Sequence, residues 1–136
     1  MSASNIFMKS YADFGLLILR LGFGFLMISN HGYRKLDRLL DGTSNFGDPI
    51  GIGSMPSLLL VIFAEVVCSA LVMLGLFTRL AVIPLIITMV VAVFIANADK
   101  PILNNEMGLL YLTTFITLLS AGPGKYSLDN RLFGKR

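Results

Sequence analysis

The chain has 136 residues, 55% of them hydrophobic and 14% charged, with a mean hydropathy of +0.78, a balance that excludes an ordinary soluble domain. A net charge of +3 without any basic run interleaved with aromatics argues against nucleic acid as a partner. The lone cysteine, Cys68, excludes an internal disulfide and an intramolecular dithiol pair.

Four stretches approach the roughly 20 apolar residues that a spanning helix needs: residues 14–31, 57–77, 80–98 and 106–121. Residues 1–13 read as a short polar lead. The first span carries Arg20, lacks an A-x-A cleavage pattern and is followed by three more spans, so it is expected to stay in the protein rather than leave as a signal peptide. Beyond it, "HGYRKLDRLL" spaces Leu36, Leu39 and Leu40 among charges as an interfacial amphipathic helix would. The stretch "DGTSNFGDPIGIGSMP" is a structured loop, rich in Gly, Pro, Asn and Asp.

The second and third spans meet at "LGLFTRLA", where Gly75 and Thr78-Arg79 leave room only for a tight turn, which makes these helices antiparallel neighbours. Pro84 falls in the first turns of the third span, which ends at "NADKP". The last span borrows Asn105 and Glu106 at one end and stops at "AGPGKYSLDNR". The expected fold is therefore an all-α membrane protein, a single domain over residues 1–136. It is a four-helix antiparallel bundle with one longer extracytoplasmic loop between the first two helices. Lys9, Arg79, Lys125, Arg131, Lys135 and Arg136 gather on the side of the termini, against Arg34, Lys35, Arg38 and Lys100 on the other, and this asymmetry predicts cytoplasmic termini.

The second span, "LLLVIFAEVVCSALVML", holds Glu65 near its middle. A charge there costs about 2.5–3.5 kcal/mol, which the surrounding Leu, Ile, Val and Phe offset. Arg20 is the basic residue within the core of a span, and at 1.5 Å per residue the two lie about 10 and 18 Å from the inner edge, so a pair is expected. Such a pair either locks the first two helices together or borders a ligand pocket.

Helical periodicity puts Arg20, Gly24, Met27 and His31 on one face, Glu65 and Ser69 on another, and Glu106, Thr113, Thr117 and Ser120 on a third. All three faces are expected to turn inward, with the threonine hydroxyls bonded to backbone or neighbouring helices. Ala64 and Cys68 form a small face for close helix approach. A single His31 cannot supply bis-histidine haem ligation within one chain, and the carboxylates lack metal-ligand spacing, so no metal site is expected. "GPGKYS" and "GIG" are not nucleotide loops, since neither lies between a strand and a helix.

"LRLGFGFLMISNHGYRKL", "FAEVVCSALVMLGLFTRLA", "NNEMGLLYL" and "GPGKYSLD", in this order and spacing over residues 14–129, resemble the DoxX family of bacterial membrane proteins. The match falls on Arg20, His31, Gly32, Lys35, Leu36, Glu65, Gly75, Thr78, Arg79, Glu106, Gly122, Gly124, Ser127 and Asp129. The resemblance implies a four-helix bundle in the bacterial inner membrane. It links some relatives to thiosulfate:quinone oxidoreduction and others to a thiol-homeostasis complex with superoxide dismutase and a sulfurtransferase. Asn97 stands where the family often has a histidine.

The functional expectation is a membrane subunit or anchor of a redox complex, an anchor or electron-accepting subunit rather than an enzyme acting alone. Arg20, His31, Glu65, Asn97 and Glu106 would line a site for quinone or another small amphipathic ligand, and the partners would be lipid, a redox protein and further subunits, like or unlike. A non-catalytic scaffold and a small oligomeric transporter are the alternatives.

Overall fold

The computed structural model describes residues 2–42 and 46–134; Thr43, Ser44 and Asn45 of the long loop, and Lys135 and Arg136 of the charge count, lie outside the described residues. Among the described residues the chain is helical without strands, and four continuous helical stretches are long and apolar enough to cross a membrane. They are Ala3–Leu40, Ser54–Leu74, Thr78–Ala96 and Ile102–Ala121.

The first span comprises α1 (Ala3–Met27), a wider π-helical segment (Ile28–Gly32) and α2 (Tyr33–Leu40). Its 38 residues run about 57 Å, well past a hydrocarbon core of about 30 Å. Residues 3–13 are thus part of this helix rather than a separate lead, and Ser2 caps it by accepting from the Asn5 amide. The expected amphipathic extension is α2, with Lys35, Leu36 and Leu39 half-buried and Arg34 and Asp37 exposed.

The second span is α3 (Ser54–Ile62), a π segment (Phe63–Cys68) and α4 (Ser69–Leu74); the third is α5 (Thr78–Val90) and a π segment (Val91–Ala96). The fourth opens with a 3-10 turn, Ile102–Asn105, and continues as α6 (Glu106–Ala121), followed by a short α7 (Leu128–Phe133). Met27, Cys68, Val72, Val82, Leu85, Tyr111, Phe115 and Leu118 make the core, and Ala64 and Ala81 leave room for close packing. Large apolar residues such as Phe14, Ile18, Phe25, Leu60, Ile87 and Ile116 point outward, as helices bathed in acyl chains require.

The outward face of α6 also corrects an expectation. Glu106, Thr113, Thr117 and Ser120 are exposed, because Tyr111, Thr114, Phe115 and Leu118 take the inward face. Thr113 and Thr117 donate to the carbonyls of Leu109 and Thr113, both at 2.8 Å, so their hydroxyls tolerate an apolar surrounding.

The turn between the second and third spans needs Gly75 at φ 69° and Phe77 at φ 49°, a left-handed conformation that costs a side-chain-bearing residue about 1–2 kcal/mol. Asp129 compensates from the first turn of α7. Its carboxylate accepts from the amides of Phe77 (2.6 Å) and Thr78 (2.9 Å), and its own amide donates to the Gly75 carbonyl at 2.8 Å. Asp129→Ala is expected to lower stability by about 2 kcal/mol. Denaturant unfolding in mild detergent measures it, and an unchanged midpoint would show that the turn holds itself.

Candidate functional site

At the end of the bundle that carries the long loop, all four spans enclose a cavity of about 340 Å³. His31 and Lys35 come from the first span, Val61 and Glu65 from the second, Met89, Val93 and Asn97 from the third, and Asn105, Gly108 and Tyr111 from the fourth. Phe46 and Pro49 of the loop also line it. Every π segment contributes to this wall: Ile28–Gly32 through His31, Phe63–Cys68 through Glu65, and Val91–Ala96 through Val91, Ala92, Val93 and Ala96. An inserted residue in each helix widens the turn and re-aims the side chains that follow, and such insertions concentrate at functional sites.

Glu65 has no solvent exposure, and both its carboxylate oxygens accept from the Lys35 ammonium. An ammonium has three N–H groups, so one remains for another acceptor. The Lys35 side chain keeps 24% exposure, which places the pair at the boundary between the apolar core and the loop end. Tyr111 is buried beside it, edge-on to His31 at 5.4 Å and stacked with Phe115. The side-chain amide nitrogen of Asn105 is buried without a hydrogen-bond partner, a costly arrangement that an acceptor in the cavity would relieve.

Of the residues expected at a site, His31, Glu65 and Asn97 meet on this cavity. Glu106 borders a separate shallow depression with Leu103 and Leu110 on the outer face of α6. Arg20 is elsewhere, and its expected pairing with Glu65 does not form.

The close approaches of span one to span two explain this. A side chain on Gly24 would strike Ser69 and Met73, and one on Gly32 would strike Val66 and the Glu65 backbone. These two glycines set the antiparallel register, which leaves Glu65 opposite Gly32, roughly 18 Å along the helix from Arg20 at 1.5 Å per residue. The guanidinium instead binds at the opposite end of the bundle. It donates to the carbonyls of Val72 and Met73 at 3.4 Å each, in the last turn of α4, and to the carbonyl of Tyr126.

Sequence reasoning missed Lys35 as the partner of Glu65, and it missed Tyr111 and Asn105 as wall residues. Lys35 was findable, since it follows His31 by four residues and so shares its face. Tyr111 and Asn105 carried no such signal, because their positions depend on how the last helix packs.

Residues 15–98 match the DoxX family. An uncharacterized protein of Haemophilus influenzae is 32% identical over 94% of this chain and 98% of its own length. An uncharacterized membrane protein of Mycobacterium tuberculosis is 36% identical over 50% of each chain. No solved structure matches. With four membrane-length helices and a family match across three of them, this chain belongs to the DoxX family of integral membrane proteins.

Proposed function

We propose that the protein is a membrane subunit of a redox complex in the bacterial inner membrane, with its termini in the cytoplasm. In this reading the loop-end cavity holds a small carbonyl-bearing amphiphile of the quinone class. The observation that carries the reading is the Lys35–Glu65 pair. A fully buried carboxylate is held by one lysine where three π segments converge, beside unused donors on Lys35 and Asn105.

These groups fit a ring with oxygens on its edge: Lys35 and Asn105 donate to the oxygens, while Val61, Met89 and Val93 cover the faces. Such a ligand, when bound, supplies the electron-accepting chemistry. Glu65 sets the charge and position of Lys35 and can take up a proton at its carboxylate, and His31 and Asn97 occupy the half-buried rim. One histidine cannot supply bis-histidine haem ligation and one cysteine cannot hold an iron–sulfur cluster within a single chain, and in this reading the electrons come from a partner protein.

Native mass spectrometry of the protein extracted gently from its own membrane tests this, with bound small molecules released and identified. A stoichiometric quinone-class molecule or a co-purifying redox protein is the expected result, and Asn105→Leu should reduce the retained ligand about tenfold. A homo-oligomer carrying only phospholipid would overturn the reading and favour a scaffold or transport role.

A further inference from the structure

The second and third spans are joined by the tight turn at Gly75–Phe77 and pack against one another through α4, the π segment Phe63–Cys68 and α5. Toward the loop end they part, and α3 and the π segment Val91–Ala96 scarcely touch. The gap holds a second, smaller cavity of about 100 Å³, whose walls include Pro49, Val61, Thr88 and Val91. The same four residues line the larger cavity, so the two adjoin across a shared wall. Thr88 turns its hydroxyl to its own helix, donating to the Pro84 carbonyl at 2.8 Å, which leaves that wall apolar.

Leu60 and Ile87 also line this smaller cavity and are 56% and 57% exposed, so its wall reaches the outer face of the spans, where the surroundings are acyl chains. The loop lies over the aqueous side. Its Phe46 and Pro49 line the larger cavity, and Asp48 pins it by accepting from the Ile52 amide at 2.9 Å and the Ser57 hydroxyl at 3.1 Å.

We infer that the ligand of the loop-end cavity is a tailed membrane amphiphile. It enters sideways from the bilayer between the second and third spans, its polar head against Lys35–Glu65 and its apolar tail in the slot beneath Pro49. This rests on the reading of the cavity as a ligand site, and it adds the requirement for a tail and the route. A tailed ligand dissolved in the bilayer meets apolar walls already at its own depth.

The chain contains no tryptophan, so a single reporter can be placed at will. Tyr111→Trp reports from inside the cavity, and Phe115→Trp, one turn away and fully buried, from the core. In bilayers of brominated phosphatidylcholine, the first is expected to be quenched several-fold more than the second. Val61→Phe, which narrows the connection, should remove the difference, and Phe46→Trp provides a second cavity reporter if Tyr111→Trp does not fold. Equal quenching of cavity and core reporters would overturn the route.

Separately, binding of a decyl-tailed benzoquinone should weaken about tenfold in Ile87→Phe, at a residue that lines the slot but not the larger cavity, while the tail-less ring is unaffected. Equal weakening of both would overturn the tail requirement. If neither quinone binds the unaltered protein, the ligand identity under Proposed function fails, while the quenching comparison still decides the lateral route.

Discussion

Lys35→Met is expected to destabilise the bundle by about 3–5 kcal/mol, because it leaves the Glu65 carboxylate buried with no cation. The loss comes from the stranded charge more than from the missing attraction. Glu65→Gln added to Lys35→Met should therefore restore most of the stability, since an amide is far cheaper to bury than a carboxylate. Denaturant titration of the two single variants and the double variant in one detergent gives the coupling directly. A double variant no more stable than Lys35→Met would mean that the pair is not what holds Glu65. The same cycle separates structure from binding. A double variant that folds but no longer retains the endogenous small molecule assigns the charge pair to the ligand, whereas full retention assigns it to packing.

Arg20→Leu is the second large effect, at least about 3 kcal/mol, since charged hydrogen bonds contribute about 1.5–3 kcal/mol each and Arg20 makes contacts with three carbonyls. The damage should be local first. Arg20 ties Tyr126 to the end of α4, and a side chain on Gly75 would collide with both the guanidinium and Ser127, so the segment after α6 is packed around this one residue. Limited proteolysis of Arg20→Leu should cut after Ala121 at denaturant concentrations where the unaltered protein is intact. Arg20→Lys keeps the charge but not the planar fork, and should recover less than half of the loss. Unchanged protease resistance in Arg20→Leu would show that Asp13 and Asp129 secure the segment without it.

The spans, their antiparallel order and the tight turn at Gly75 were legible because twenty-residue apolar runs and a glycine between them admit few other folds. Three of the expected site residues, His31, Glu65 and Asn97, do share a cavity. The partner of Glu65 was not legible. Counting rise from an assumed membrane edge placed Arg20 and Glu65 within reach, but helix register is set by Gly24 and Gly32, whose close approaches to Met73 and Val66 appear only in three dimensions.

Lys35 shares the face of His31 at helical spacing, but beside Arg34 and Arg38 it reads as one of the charges of the aqueous loop side rather than as the partner of Glu65. The outward turn of Glu106, Thr113 and Thr117 was hidden for another reason. Threonine bonded to its own helix is nearly apolar to its neighbours, so polarity in the sequence did not translate into polarity at the surface.

The distribution of backbone clamps gives the bundle unequal ends. Where the termini lie, Arg20, Arg79, Asp13 and Asp129 each bind the backbone of a segment other than their own: Arg79 holds the carbonyls of Leu119 and Ser120, and Asp13 accepts from the Lys125 amide. Where the loop lies, the spans meet through the Lys35–Glu65 pair and apolar contact around a void. The protein is built like a clothes peg, stiff at the spring and compliant at the jaws. Amide exchange should accordingly be slowest near Arg20 and fastest around the three widened turns. Whatever is gripped at the jaws can then spread or close them without disturbing the joint that keeps the four helices in register.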